Sequence, residues 1–312
     1  MKTVEELRNS LEEILGEGLN IKLYLGVGKA IEREYFRADI SPDAAVILCE
    51  QFVEGLRRYF KNEDLETFNL SLLDERANAL YAYDLEEAPE EFGAIKGLHD
   101  GNDPALFTFQ DRAISDVKAL VVKVSSATKS VTFYKQVFAV SIVRQEQILL
   151  SWRTNRFEIL NEDVLKILPG FDVMLIDDEF YVSNLPRFEK DFAFERIAKK
   201  VMNEVVEMVI AMEMVDDAKG YLANLDLPKK HVLRAKHSPA LQMTSQAVIE
   251  FVKNHPTYGL RVVDEKIHLN SKNSVRYLFK LLNEDILKSE LTLTIYDARA
   301  KDLFEPPAEA AV

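Results

Sequence analysis

The chain has 312 residues, 47% hydrophobic and 29% charged, enough to bury one large core or two smaller ones. Only 11 Gly and 10 Pro are present, which argues against long flexible linkers. The net charge of −13 repels DNA and anionic lipid as an overall field, so any nucleic-acid role requires a local basic patch.

Val4, Leu7, Leu11, Ile14 and Leu15 recur near the helical period and predict a helix over 1–15, charged and amphipathic rather than a secretory signal. Ile21 to Val27 reads as a strand. Ser41-Pro42, a cap followed by a residue suited to the first turn, opens a helix to about Phe60. The single cysteine, Cys49, lies in its apolar run 44–49; a lone thiol forms no intrachain disulfide, which fits a reducing cytosol, and a small core residue is expected. Tyr81, Tyr83 and Leu85 alternate as a half-buried strand. The acidic stretch 86–104, with Gly and Pro, reads as a long surface connection.

From Ala119 the pattern is β-rich. Segments 120–124 and 131–137 flank Ser125 to Lys129 as a hairpin, and short strands follow at 148–152, 157–160, 173–176 and 180–182. The last two flank a tight turn at Asp177-Asp178-Glu179. Pro186 introduces one long helix over 187–221, with Phe188, Phe192, Ile197, Val201, Val205 and Met208 at helical spacing. Short helices are expected over 228–236, 240–254 and 272–283, with a strand at 266–269. A hinge is expected near 220–228 and a frayed tail over 306–312.

The expected fold class is α+β. An N-terminal α/β region covers 1–118, a β-rich central region with a long helix covers 119–221, and a basic helical module covers 222–312. The order helix, helix, strand, helix in that module suggests a winged-helix-like arrangement. The apolar excess of the long helix, including Met202, Met208, Met212 and Met214, predicts a homodimer. No apolar stretch approaches the ~20 residues that span a bilayer.

Searches for catalytic motifs fail. Gly26-Val27-Gly28-Lys29 lacks the spacing to wrap a phosphate, and no HExxH, zinc cluster, GxSxG elbow or cofactor motif is present. Asp264-Glu265-Lys266 resembles one end of a nuclease metal site but lacks a well-placed upstream acid. Asp177-Asp178-Glu179 could attract a divalent cation or be a solvated turn. The acidic segment Asp84 to Glu91 could contact a basic partner, cover a basic patch, or be a solvated loop.

Charge placement is more informative. Residues 228–282 carry ten cations against Glu250, Asp264 and Glu265, a net of +7 that leaves −20 on the rest of the chain. Lys272, Arg276 and Lys280 are four apart and form one stripe on a helix, and Lys229, Lys230, Arg234 and Lys236 cluster on another. Several cations held together are what phosphate contacts need, with weak sequence preference and strong salt dependence. The same cations could instead form a solvated face or pair with the acidic remainder.

Three segments carry a family resemblance: Phe171 to Val182 as paired strands, Phe188 to Phe192 as the start of the next helix, and Tyr277 to Asp285 with Leu291 to Lys301. Together they resemble the KwaB family of the bacterial Kiwa anti-phage defence system, over residues 80–304. The resemblance implies a cytosolic effector that binds duplex DNA and needs no cofactor. It would act with the small membrane protein KwaA at the inner membrane and obstruct replication or transcription without cleaving DNA. The DNA-contact residues come from charge and spacing, since the family offers no catalytic motif to carry over. Two other readings stay open: a metal-dependent nuclease using Asp177, Asp178 or Asp264, and a structural adaptor whose acidic N-terminal two-thirds binds a protein.

Overall fold

The computed structural model describes residues 1–15, 18–29, 32–72, 76, 78–143, 149–153, 156–160, 164–168, 170–217, 220–222 and 229–298. The chain has an α+β fold and divides into two compact units, Met1–Leu70 with Asn78–Glu195, and Ser71–Ala77 with Arg196–Val312. Most of the hinge expected at 220–228 and the whole of the tail at 306–312 lie outside the described residues.

The first unit contains α1 (Val4–Ile14), β1 (Asn20–Val27), β2 (Glu34–Arg37), α2 (Pro42–Phe60), β3 (Glu66–Asn69), β4 (Ala79–Ala82), α3 (Glu90–Asp100), β5 (Val117–Ser125) and β6 (Ser130–Gln136). It continues with β7 (Ile142–Val143), β8 (Leu149–Arg153), β9 (Arg156–Leu160), β10 (Val164–Leu165), β11 (Val173–Ile176), β12 (Glu179–Val182) and α4 (Leu185–Asp191). Eight strands form one sheet in the order β2-β1-β5-β6-β11-β12-β4-β3, antiparallel throughout except for the β3–β4 pair.

The period-2 alternation of the strands decides what each face buries. Leu23, Leu25, Val122, Val124, Phe133, Met174 and Ile176 point to one side and pack with Leu7, Leu11 and Ile14 of α1 and Phe52, Leu56 and Phe60 of α2. Thr3 caps α1 through a reciprocal box with Glu6, and Ser41 caps α2 ahead of Pro42. Cys49 is half-buried against this core, whereas Val46 and Ile47 of α2 stand exposed. An aromatic cluster lies with α3 and α4: Phe92 stacks on Phe180 at 3.8 Å, and Phe192 meets Tyr134 edge-on at 4.7 Å.

A buried charge network ties this unit together. The Arg33 guanidinium contacts Glu91 at 3.3 Å and Asp191 at 3.1 Å, with all three side chains less than one-tenth exposed. Tyr35 donates to Glu91 and Tyr134 donates to Asp191. Burial pushes the Glu91 carboxyl up from its ordinary value, against the opposing Tyr35 and Arg33 contacts. Gly26 makes this network possible: a Cβ there would lie 2.7 Å from Arg33 Cδ and 3.0 Å from the Tyr35 ring. The Gly26-Val27-Gly28-Lys29 run thus gives Arg33 room and contains a register shift at Gly26/Val27.

Four elements differ from the sequence expectation. The strand expected to alternate through Tyr81, Tyr83 and Leu85 is β4, which ends at Ala82 and is buried throughout, and the helix expected over 240–254 begins only at Ser245. The stretch 86–104 is not simply a connection but contains α3, whose Glu91, Phe92, Ile95 and Leu98 are buried while acidic neighbours face out. The helix expected over 187–221 is two: α4 stops at Asp191, Ala193 adopts φ +49°, and α5 (Phe194–Ala211) restarts. A positive φ at a non-glycine residue ends the helical run, which residue type alone does not announce.

The second unit takes most of α5, then β13 (Val215–Asp216), α6 (Lys229–Ala235), α7 (Ser245–Asn254), β14 (Val262–Val263), β15 (Lys266–His268), α8 (Lys272–Leu282), β16 (Ile286–Lys288) and β17 (Ile295–Asp297). Val232, Val248, Ile249, Val252, Ile267, Val275, Leu278, Phe279 and Leu282 are buried. The winged-helix-like detail is not established by this arrangement, because β13 joins β15 in parallel and makes a mixed three-stranded sheet.

Candidate nucleic-acid interface

α8 presents one apolar and one polar side. Ser271 caps it by accepting from the Ser274 amide, and Val275, Leu278, Phe279 and Leu282 turn inward. Lys272, Asn273, Arg276 and Tyr277 remain on the exposed side. Lys272 and Arg276 lie one turn apart, about 6 Å along the axis.

Lys280 was expected to extend this stripe and does not. Its side chain is 8% exposed and is ion-paired with Asp297. The cause is long-range: β17 brings Asp297 to the last turn of α8, while the Ala298 amide donates to the Asp285 carbonyl. The covering strand lies 17 residues beyond the lysine.

The four predicted cations around α6 divide in the same way. Arg234 binds Asp285, whose side chain is fully buried, through two guanidinium nitrogens at 3.0 and 3.3 Å. His231 Nδ1 lies 3.4 Å from the same carboxylate, and Asn283 Nδ2 donates to the His231 carbonyl at 2.8 Å. Lys236 meets Glu204 of α5 at 3.2 Å. Lys230 is exposed and Lys229 half-buried, next to each other at the start of α6. Of the seven residues singled out, Lys230, Lys272 and Arg276 are exposed; Arg234, Lys236 and Lys280 pair with Asp285, Glu204 and Asp297.

Two cations outside that set are also exposed. Arg261 and Lys266 are exposed on the β14–β15 hairpin and make no ion pair among the described residues. Asp264 and Glu265 form its turn, at φ +48° and +61°. Lys253 of α7 reaches Glu265 at 2.5 Å and ties helix to hairpin. The valine-rich hairpin with its Asp-Glu turn was the sequence signal for Arg261 and Lys266, which the helical-stripe criterion passes over.

The acids considered for a metal site sit in separate settings. Asp177 accepts from Lys2 and from Ser10, and those contacts outweigh burial to hold its carboxyl below the ordinary value. Asp178 pairs with Lys96, which lowers its carboxyl likewise. Asp264 belongs to the second unit. Among the described residues no three His, Cys, Asp or Glu side chains are grouped to hold a metal ion, and no helix is long and apolar enough to cross a membrane.

The family model described as Kiwa protein KwaB-like matches residues 114–292. The chain is also similar to the Kiwa protein KwaB of Escherichia coli O55:H7 (strain RM12579 / EPEC), with 23% identity over 319 positions covering 96% of this chain and 98% of that protein. No solved structure matches the chain significantly. The matched span includes β11, β12, α4 and α8, which carry most of the sequence resemblance, and ends ahead of nearly all of the segment Leu291 to Lys301 that carries the rest; the family model covers more than half of the chain, and the chain belongs to the Kiwa protein KwaB-like family.

Proposed function

We propose that this chain, a component of Kiwa anti-phage defence by its family, binds duplex DNA without strong sequence preference through the exposed cations of its second unit. The observation that carries the reading is the outward face of α8, where Lys272 and Arg276 stand exposed while the opposite face is buried. Arg261 and Lys266 add positive charge on the neighbouring hairpin. A few cations fixed on packed elements neutralise phosphates and release counterions without reading bases. The acidic remainder opposes long-range attraction, so binding depends on close contact, and a homodimer doubles the number of contacts. Met208 and Ile210 are exposed on α5, at opposite edges of its solvent side, and such a dimer would cover apolar surface of this kind.

In this reading the protein acts by occupying DNA, as a non-enzymatic effector brought to the inner membrane by its partner KwaA. Lys2 and Lys96 hold the acids a nuclease would use at the β11–β12 turn, which favours binding over cleavage. Anisotropy of a labelled 20-base-pair duplex, titrated with the full chain over a range of salt, tests the proposal. Affinity should fall with salt at a log–log slope of about −0.9 for each phosphate neutralised. No affinity at low salt, or affinity flat against salt, rejects it. Cleavage of the duplex in Mg²⁺ or Mn²⁺ rejects the non-enzymatic part.

A further inference from the structure

The second unit exposes aromatic rings beside its cations. Phe251 of α7 is 39% exposed and stacks on His255 at 4.1 Å with the planes 17° apart. His255 Nδ1 donates to the Phe251 carbonyl at 2.8 Å, which fixes the second ring parallel to the first. Tyr258 backs both, at 5.8 Å from Phe251 and 5.3 Å from His255, and is itself buried. The next residue, Gly259, lies against Tyr277 of α8: a Cβ there would meet that ring at 2.9 Å. Tyr277 is 38% exposed and adjoins Arg276 in sequence.

These rings are preorganised by packing yet keep a face or edge in solvent. Arg261, Lys266, Lys272 and Arg276 are exposed on the elements that carry or adjoin them. Helix α7 packs on the β14–β15 hairpin, and Lys253 is tied to its turn. The combination of fixed aromatic faces with cations that follow a phosphate backbone is the chemistry of single-stranded nucleic-acid binding, where each base has a face to stack. A closed duplex offers phosphates to the cations but no base faces to the rings.

We propose that Phe251, with His255 behind it, and Tyr277 form a platform on which unpaired DNA bases stack, so that the basic unit also holds single-stranded DNA. The proposal rests on the DNA-binding reading above and adds a second form of DNA to it. The simpler role for the stack, closing the C-terminal end of α7, predicts no difference between strand states.

The test compares a labelled 20-nucleotide deoxythymidine strand with the 20-base-pair duplex, by anisotropy with the full chain at one salt concentration. Phe251→Leu and Tyr277→Leu keep apolar bulk but remove the aromatic face, and Phe251→Trp restores one; thermal melts by circular dichroism report folding. The Leu variants should weaken single-strand binding about five-fold or more and duplex binding less than about two-fold, with Phe251→Trp near wild type. Single-strand affinity unchanged in folded Leu variants, or equal loss on both DNAs, overturns the platform while leaving duplex binding in place. Wild-type protein that binds neither DNA overturns the DNA-binding reading, and the platform with it.

Discussion

Arg234 of α6 holds the buried carboxylate of Asp285 with two guanidinium nitrogens, at 3.0 and 3.3 Å. A cation counted by sequence as part of a DNA-binding cluster is thereby the partner of an acid inside the fold. Removing one member of such a pair strands the other charge. Arg234→Met should destabilise the second unit by about 3–5 kcal/mol, measured by urea unfolding. Arg234→Lys should recover only part of this, because an ammonium lacks the planar fork.

Lys280 leads to a local prediction. Its pairing with Asp297 fastens β17 over the end of α8. Lys280→Met should lower the hydrogen-exchange protection of amides in β16 and β17 while leaving those of α7 unchanged. The salt slope of DNA binding should not move, since Lys280 is not on the exposed stripe. A reduced slope would return it to the interface.

Gly26 offers a test in the first unit. Gly26→Ala places a methyl 2.7 Å from Arg33 Cδ and 3.1 Å from Ala119 Cβ, with Arg33 held by two carboxylates. Overpacking of this kind costs about 1–3 kcal/mol. The expected result is a lower thermal midpoint with duplex affinity at low temperature unchanged.

Glu91 sets a pH dependence of the first unit's stability. Burial raises its carboxyl above the ordinary 4.5 in the folded state. The folded chain therefore keeps a proton that the unfolded chain releases. That contribution is fully present below pH 4.5 and is lost as pH rises through the folded value. Glu91→Gln can still accept from Tyr35 and Arg33, and it removes the titration. Its stability relative to wild type should increase as pH rises above 4.5, followed by urea unfolding at each pH. A difference independent of pH contradicts this account of Glu91.

The local elements were legible in the sequence. Ser41-Pro42 marks the start of α2, short apolar runs flanking turn residues mark β5, β6, β11 and β12, and Asp177-Asp178 marks the β11–β12 turn. What escaped depends on contacts distant in sequence. α3 hides in an acidic stretch because Glu91 is buried only through Arg33 and Tyr35. The break at Ala193 is a backbone conformation with no residue signature. At the candidate site, helical spacing put Lys272 and Arg276 on one side of a helix, and both are exposed on α8. It could not separate these from Lys280, because helical spacing does not show a strand returning over the last turn.

Neutralising the two exposed cations of α8 together tests the central claim most directly. Duplex affinity is measured over a salt series for wild type and for the Lys272→Gln, Arg276→Gln double variant. Each lost phosphate contact should reduce the log–log salt slope by about one, so the double variant should be shallower by about two, with the thermal melt unchanged. A folded double variant with wild-type affinity and slope contradicts the assignment of α8 as the DNA-contacting face.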